Sequence, residues 1–249
     1  MLQEITTSVK DCLRNIRPRE SAASFEQPPP MSREQIEKDA LDCAKIKAPS
    51  AHAVRITMPR FNWSDIPQRR PCAAGLLNDQ KGNTYIGEYH PLSKVREGYG
   101  IIIADDGTFS EGQYVNGVLE GPGRRIAKDG EIYEGTFSNN LPEGKGTLTQ
   151  PSGNVYTGEF QRGMMNGLGD MVFANGNKYS GQWQDDDMHG NGFMIYVLGN
   201  RSNNVCETYE GEWIKGRQGT GTYTDFNGVT EQRRLHRETG LMQRIRGGL

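Results

Sequence analysis

The chain has 249 residues, of which only 34% are apolar while 32 are glycine, so a large buried core is not expected. Its net charge of −2 hides an uneven distribution: residues 76–227 carry 12 Lys/Arg and 20 Asp/Glu, a balance of −8, and the segments on either side carry +3 each. The acidic segment disfavours nucleic acid and anionic lipid as partners, because binding to either depends on Lys and Arg.

The cysteines and the lengths of the apolar runs indicate the cellular compartment of the protein. The four cysteines are scattered and form no C-x-x-C pair, which predicts free thiols in a reducing compartment rather than a disulfide framework or a zinc site: Cys12, Cys43, Cys72 and Cys206. No run of 18 apolar residues could span a bilayer, and the N-terminus lacks the apolar stretch of a secretory signal. We therefore expect a cytoplasmic protein.

The first predicted element is a helix over residues 2–16, where apolar side chains recur at steps of three and four before Pro18. Its basic residues would also suit a cleaved mitochondrial presequence, against which Glu4 and Asp11 argue. We expect instead that this helix packs its apolar stripe on protein.

A second helix is predicted from Ser32 to about Lys47. Ser32 and Gln35 have the spacing of a capping box, and Met31 and Ile36 have that of a hydrophobic staple. Prolines before and after this helix favour extended chain. Residues 1–75 are thus predicted to form an N-terminal extension with two short helices and a proline-rich linker.

Residues 76–228 are predicted to form an array of six repeats. Gly-x-aromatic returns every 23 residues, at Gly112, Gly135, Gly158 and Gly181, and such a period marks stacked small units rather than one core. Five units begin with aromatic-x-Gly-x-aromatic, and all six end with Gly-x-Gly followed seven residues later by another glycine. In the second unit Ser110 replaces the first ring, and Phe109 stands one position away.

Each repeat is expected to be a β-hairpin. Because alternate residues of a strand share a face, the two rings and the glycine between them lie on one side, and mostly polar residues lie on the other. Asp106-Gly107 and three similar pairs supply the positive φ that tight turns require. Glycines weaken an ordinary strand, so close backbone approach or ring stacking over them is the expected reason for their recurrence.

The repeat resembles the MORN repeat, whose pattern is close to Tyr-x-Gly-x-Trp-x-x-Gly-x-x-x-Gly-x-Gly. Residues 156–169 fit every constrained position, with Phe160 in place of the tryptophan, and the resemblance extends from Tyr85 to Gly228. Pattern and resemblance together predict an all-β fold. It is an elongated, single-layer, twisted antiparallel sheet of six MORN hairpins, with short N-terminal helices and an extended N-terminal segment before it and a basic tail, residues 229–249, after it.

Two further segments depart from the regular pattern. The fifth repeat carries an extension within residues 200–208, for which a partner contact and a neutral solvated loop are alternatives. Residues 231–246 contain five arginines and are expected to form a solvated helix end, with docking on an acidic protein surface as the alternative. Nucleic acid is not expected there, because no aromatic residues are interleaved with the arginines.

Catalytic and metal-binding patterns are missing from the sequence. The four histidines form no His-Glu-x-x-His motif, no Gly-x-Ser-x-Gly elbow occurs, and the sequence from Gly144 to Gly146 lacks the features of a phosphate-binding loop. The acidic run Asp185–Asp187 lacks the glycine and the distal glutamate of a calcium loop and is expected to be a polar turn. We expect no enzymatic activity, no cofactor and no metal.

The aromatic face of the array is the predicted binding site. A single-layer sheet leaves its rings uncovered, so a partner protein, a second copy of the chain or its own N-terminal helix is expected to lie over them. The predicted partner-binding residues are Tyr85, Tyr89, Tyr114, Tyr133, Phe137, Tyr156, Phe160, Tyr179, Trp183, Tyr209 and Trp213.

The predicted function is that of a non-catalytic scaffold, which binds a helix or peptide of a protein partner within a large assembly. The resemblance to MORN proteins implies the cytoskeleton, especially the axoneme of a cilium or flagellum. Two alternatives stay open. One is a peripheral membrane module that binds phospholipid, which the resemblance also implies and the acidic array disfavours. The other is an accessory subunit of an organellar membrane complex.

Overall fold

The computed structural model describes residues 31–62, 73–198, 205–235 and 242–244. These residues form two helices and fifteen strands, and the chain divides into two compact units between Asn140 and Leu141. Within each unit, strands pair antiparallel with their neighbours in sequence, so the predicted all-β antiparallel fold is confirmed. The helix predicted over residues 2–16 lies outside the described residues.

Both helices precede the strands of the first unit. Helix α1, Arg33–Lys47, has the predicted bounds, because the Ser32 Oγ accepts a hydrogen bond from the Gln35 backbone N–H at 3.2 Å. Its last turn contains Lys45 and Lys47, where the helix dipole favours positive charge. Helix α2, Pro49–Arg55, lies where the sequence predicts extended chain. Pro49 is in its first turn, where a backbone N–H would have no intrahelical partner, so the proline can begin the helix.

The first unit has six strands, which pair in the order of the sequence: β1 Ala73–Asn78, β2 Thr84–Tyr89, β3 Arg96–Ile103, β4 Phe109–Val115, β5 Val118–Ile126 and β6 Ile132–Ser138. The strand glycines lie opposite one another, since Gly100 of β3 pairs with both Gly87 and Gly112. Alternate side chains of these strands therefore form two distinct faces.

The second unit has nine strands: β7 Leu141–Thr149, β8 Val155–Gln161, β9 Met164–Val172, β10 Lys178–Gln184, β11 Asp187–Leu198, β12 Val205–Ile214, β13 Arg217–Thr224, β14 Thr230–Leu235 and β15 Met242–Arg244. The predicted extension of the fifth repeat lengthens β11 and β12, which pair as far as Leu198 and Val205, and residues 199–204 between them lie outside the described residues.

The basic tail contributes strands where the sequence predicts a helix end. Strand β14 pairs with β13, where Tyr223 lies opposite Glu231, and β15 pairs with β14. The physical reason is the edge of β13, which would otherwise carry unpaired N–H and C=O groups that a further strand satisfies. The guanidinium carbon of Arg233 lies 3.3 Å from the centroid of the Tyr223 ring, which adds a cation–π contact.

Two kinds of turn alternate along the repeats. The two-residue turns have positive φ at both positions, the geometry that matches the twist of a hairpin: Asn116-Gly117, Arg162-Gly163, Asp185-Asp186 and Lys215-Gly216. The predicted turn glycines also have positive φ, 91° at both Gly107 and Gly176. They lie in longer turns, however, where the preceding Asp106 or Asn175 keeps an ordinary φ. The two-residue turns therefore follow the next strand along the chain: Asn116-Gly117 joins β4 to β5, whereas the predicted turn Asp106-Gly107 joins β3 to β4.

Candidate binding surfaces

One face of each unit carries the rings of the repeat, and we call it the ring face. In the second unit, six rings form a continuous row with neighbouring centroids 5.1–5.4 Å apart and interplanar angles of 78–89°: Phe160, Tyr156, Trp183, Tyr179, Trp213 and Tyr209. In the first unit, Tyr85 contacts Tyr114 at 5.2 Å and Tyr133 contacts Phe137 at 5.0 Å. Such edge-to-face pairs contribute about 0.5–1.5 kcal/mol each beyond the burial of the rings.

The repeat tyrosines lie over the strand glycines. The Tyr156 hydroxyl donates to the Glu159 carbonyl, three residues later, at 2.9 Å. A Cβ on Gly169 would lie 2.3 Å from the Tyr156 hydroxyl oxygen, and one on Gly158 would lie 2.5 Å from the Gly169 Cα. Both predicted reasons for the glycines, ring stacking and close backbone approach, are confirmed. The same tyrosine hydrogen bond recurs from Tyr85, Tyr133, Tyr179 and Tyr209.

The predicted partner-binding rings are buried within their own units. Tyr89 is half-buried, and ten rings are at most 5% exposed: Tyr85, Tyr114, Tyr133, Phe137, Tyr156, Phe160, Tyr179, Trp183, Tyr209 and Trp213. The expectation that a single layer leaves its rings uncovered is therefore wrong. The rings shelter one another, and methionines of adjacent strands lie opposite them, as Met171 does to Tyr156 and Met194 to Tyr209. Direct contact of a partner with these rings stays a prediction.

Helices α1 and α2 pack on the face of the first unit that lies opposite to the ring face. Helix α1 contributes the stripe Ile36, Ala40, Cys43 and Ala44, in which no residue is more than 5% exposed. The strands contribute six buried side chains that alternate with ring-face positions: Ile86, Tyr99, Ile101, Ile103, Phe109 and Ile126. A helix of this chain thus docks on its own sheet, but this helix is α1, and it lies on the face for which the sequence predicts polar residues; docking of the helix predicted over residues 2–16 stays a prediction. Phe109 belongs to this face and not to the row of rings.

An alternating chain of charged side chains connects the helices to the sheet: Arg60, Glu37, Arg55, Glu111, Arg124 and Glu134. At its centre the buried Glu111 of β4 lies 2.8 Å from the Arg55 Nε and 3.0 Å from the Arg124 Nη1. Burial raises the pKa of Glu111, and the two guanidinium groups oppose that rise. The buried centre of this chain is sensitive to truncation, because removing Glu111 or one of its arginines leaves the neighbours charged and unpaired.

The sequence contains one overlooked signal for this interface. Ile101, Ile102 and Ile103 are consecutive, so β3 is apolar on both faces, and only one of those faces can be the ring face. The buried ion pairs carry no comparable signal. Glu111 and Arg124 read as ordinary polar strand residues, and Arg55 comes from a segment outside the array.

The equivalent face of the second unit is open. The part of the chain described for this unit contains no helix, and four apolar side chains of β9 and β11 are exposed there: Leu168 at 61%, Val172 at 43%, Phe193 at 38% and Val197 at 38%. An open groove of about 510 Å³ lies beside Leu168, and its other walls include Glu159, Gln182 and His189. The surface combines apolar side chains with polar and acidic neighbours, as protein-binding surfaces commonly do.

The acidic run Asp185–Asp187 serves the sheet. Asp185 and Asp186 form a two-residue turn, and the Asp186 Oδ1 accepts a hydrogen bond from the Met165 N–H at 2.8 Å, which agrees with the predicted polar turn. The described residues hold no group of three or more His, Cys, Asp or Glu side chains placed to share a metal ion. In the same part of the chain, no helix has both the length and the apolar character needed to cross a membrane.

Comparison with known proteins agrees with the repeat geometry. The family model of the MORN repeat matches residues 111–132, 133–155, 156–178, 179–201 and 209–230. The chain is therefore a MORN-repeat protein with five matched repeats, and the additional repeat from Tyr85 to Gly107 stays a prediction. A search of curated proteins gives no match.

Among the solved structures that match is the SAS-4 (dCPAP) TCP domain in complex with a proline-rich motif of Ana2 (dSTIL) of Drosophila melanogaster. The two chains are 16% identical with a TM-score of 0.27, and the alignment covers 76% of this chain and 99% of that one. A similarity at this level does not indicate what the present chain binds.

Proposed function

We propose that this chain is a non-catalytic scaffold that holds helices of protein partners within a larger assembly. One observation carries the proposal: the sheet of the first unit binds two helices of its own chain, through an apolar stripe and a buried Arg–Glu chain. The MORN repeats support the same function, because repeat arrays present extended surfaces that suit protein binding.

The self-contained row of rings makes the opposite face available for binding. Because the rings shelter one another, each repeat is stabilised without a second layer on the other side. Residues of the opposite face can therefore differ from repeat to repeat, apolar in some and polar in others, without loss of the ring core. The sequence of that face then determines which partner binds and where.

For the location we propose a cytoskeletal assembly such as the axoneme of a cilium or flagellum, and the support is the family resemblance alone. The balance of −8 over residues 76–227 weighs against phospholipid as the main ligand, since anionic headgroups attract basic surfaces. Protein helices with basic flanks suit this surface better.

Purification of the tagged full-length chain from its native cells tests the scaffold proposal. We expect a complex far above the chain's own 27.8 kDa, with reproducible chemical cross-links to one or more other proteins. Elution at 27.8 kDa under every gentle extraction condition would contradict the proposal. Flotation of the purified chain with vesicles of anionic phospholipid at physiological salt tests the membrane alternative, and flotation there would favour that alternative.

A further inference from the structure

A cluster of exposed apolar residues lies on the second unit, on the face opposite to the rings, and we call it the open patch. It consists of the exposed Leu168, Val172, Phe193 and Val197 and the half-buried Ile195. Val172 of β9 and Ile195 of β11 both lie opposite Lys178 of the strand between them, so the patch crosses three adjacent strands. Val172, Phe193 and Val197 are each between 38% and 43% exposed, and Leu168 is 61% exposed. Exposed apolar side chains grouped in this way mark an interaction surface.

The repeat register shows that the open patch occupies the positions that α1 and α2 cover in the first unit. Ile101 and Ile103 follow Gly100 by one and three residues, and Phe193 and Ile195 follow Gly192 by the same steps. In the first unit these positions are fully buried against the helices. In the second unit the residues at these positions are apolar as well. A surface that is exposed only to water has no need of apolar side chains there.

The charged residue beside each pair is also equivalent. Ile101 lies opposite Glu111 in the β3–β4 register, and Phe193 lies opposite Glu210 in the β11–β12 register. Glu111 is held by Arg55 of helix α2 at 2.8 Å. Glu210 is exposed, and Asp170 and Glu212 on the same face are exposed as well, which makes the surroundings of the patch acidic apart from Lys178. The strands of the second unit thus carry the same kinds of side chain that bind helices α1 and α2 in the first unit.

We propose that the open patch binds an amphipathic helix of a partner protein, whose apolar stripe packs on Val172, Phe193 and Ile195 and whose arginine pairs with Glu210. The inference rests on the proposed scaffold function and names the surface and the partner chemistry. Two observations select this occupant. The same repeat positions receive a helix in the first unit, and the acidic surroundings complement a basic helix while repelling anionic lipid.

Site-specific photo-cross-linking in the full-length chain tests the surface. A photoreactive phenylalanine analogue replaces Phe193 in one variant and Phe226, which is 60% exposed on a turn, in the control. In the native cells we expect the probe at Phe193 to cross-link to a peptide of another protein that has an apolar stripe at helical spacing and an arginine beside it. The probe at Phe226 should give at least ~10-fold less of that product.

A charge swap tests the pairing. Glu210→Lys should lower the amount of this partner that co-purifies by about tenfold, and Arg→Glu at the cross-linked arginine of the partner should restore it. Asp42→Lys makes the same charge change at an exposed position on helix α1 and should leave co-purification unchanged. Circular dichroism of each purified variant checks that the fold is retained.

Each other outcome overturns the inference. Cross-links from Phe193 to residues 1–30 of the same chain or to a second copy would identify a different occupant, and cross-links to lipid alone would identify a membrane surface. A complex that persists undiminished in Glu210→Lys, with no product at Phe193, would leave the scaffold function standing and show that its surface lies elsewhere. Failure to find any complex would instead contradict the scaffold function itself.

Discussion

The two units of this chain share one hairpin and differ in what covers it. Both bury their predicted partner-binding rings on one face, with tyrosine hydroxyls bonded three residues ahead and none of these rings more than 5% exposed except Tyr89, which is half-buried. On the opposite face, the first unit carries two packed helices and a buried Arg–Glu chain, whereas the second unit exposes Leu168, Val172 and Phe193.

This difference distinguishes two roles of the repeat residues that the sequence pattern does not separate. The glycine and ring positions build a core that each repeat needs for itself, because the same geometry forms with or without a covering helix. The residues between them determine what the opposite face can bind. The difference in role predicts that a change at equivalent positions has unequal effects in the two units.

The largest expected effect is at the buried carboxylate. Glu111→Ala should lower the free energy of unfolding by about 3–5 kcal/mol, because Arg55 and Arg124 lose the charge between them in the protein interior. The equivalent change in the second unit, Glu210→Ala, removes an exposed side chain and should alter stability by less than about 0.5 kcal/mol. Urea denaturation of the purified chain measures both, and equal losses would remove the distinction between the two faces.

Alkaline pH should open the second unit first. Burial raises the pKa of Tyr179 and of Tyr209 to about 12, and it raises the pKa of Tyr85 and Tyr114 in the first unit further. Unfolded tyrosine ionises near pH 10, so the folded state binds more protons above that pH. The stability from these tyrosines is therefore complete below pH 10 and lost as the pH rises from 10 to 12.

A rise in pKa from 10 to about 12 corresponds to roughly 2.7 kcal/mol per tyrosine. Hydrogen exchange followed by mass spectrometry should show β10 and β12 losing protection at lower pH than β2 and β4. Simultaneous loss of protection in all four strands would mean that helices α1 and α2 do not affect the rings on the other face of the sheet.

A methyl group at a strand glycine should disrupt the ring core. In Gly169→Ala the new Cβ would lie 2.3 Å from the Tyr156 hydroxyl oxygen and 2.4 Å from the ring, so the ring has to move, at a cost of about 3 kcal/mol. Gly176→Ala in the same unit places a Cβ no closer than 3.8 Å to Val197 and only strains a φ of +91°, which costs about 1 kcal/mol. Thermal unfolding of the two variants distinguishes packing from backbone strain.

The smallest expected effect separates two tyrosines that look alike in the sequence. Tyr156→Phe removes the hydrogen bond to the Glu159 carbonyl and should cost about 1 kcal/mol. The Tyr114 hydroxyl is buried and has no hydrogen-bond partner among the described residues, so Tyr114→Phe should leave stability unchanged or raise it slightly. Denaturation midpoints compare the two, and an equal loss for Tyr114→Phe would reveal an acceptor for its hydroxyl.

Local patterns accounted for the elements that depend on neighbouring residues. The bounds of α1 follow from Ser32 and Gln35, whose cap forms within four residues of chain. The shared face of Tyr156, Gly158 and Phe160 follows from the two-residue period of a strand. The strands of the tail were not predictable in this way, because β14 forms only where the edge of β13 is available.

The amino-acid sequence by itself determined the repeat, the antiparallel hairpins, the ring face and helix α1, since all of these arise from spacing along a short stretch of chain. Only the tertiary structure decided that the rings shelter themselves, that the helices cover the other face, and that Arg55, Glu111 and Arg124 meet in the interior. Arg55, Glu111 and Arg124, for example, lie 13 to 69 positions apart in the chain, and no periodicity of one segment encodes what another segment brings to it.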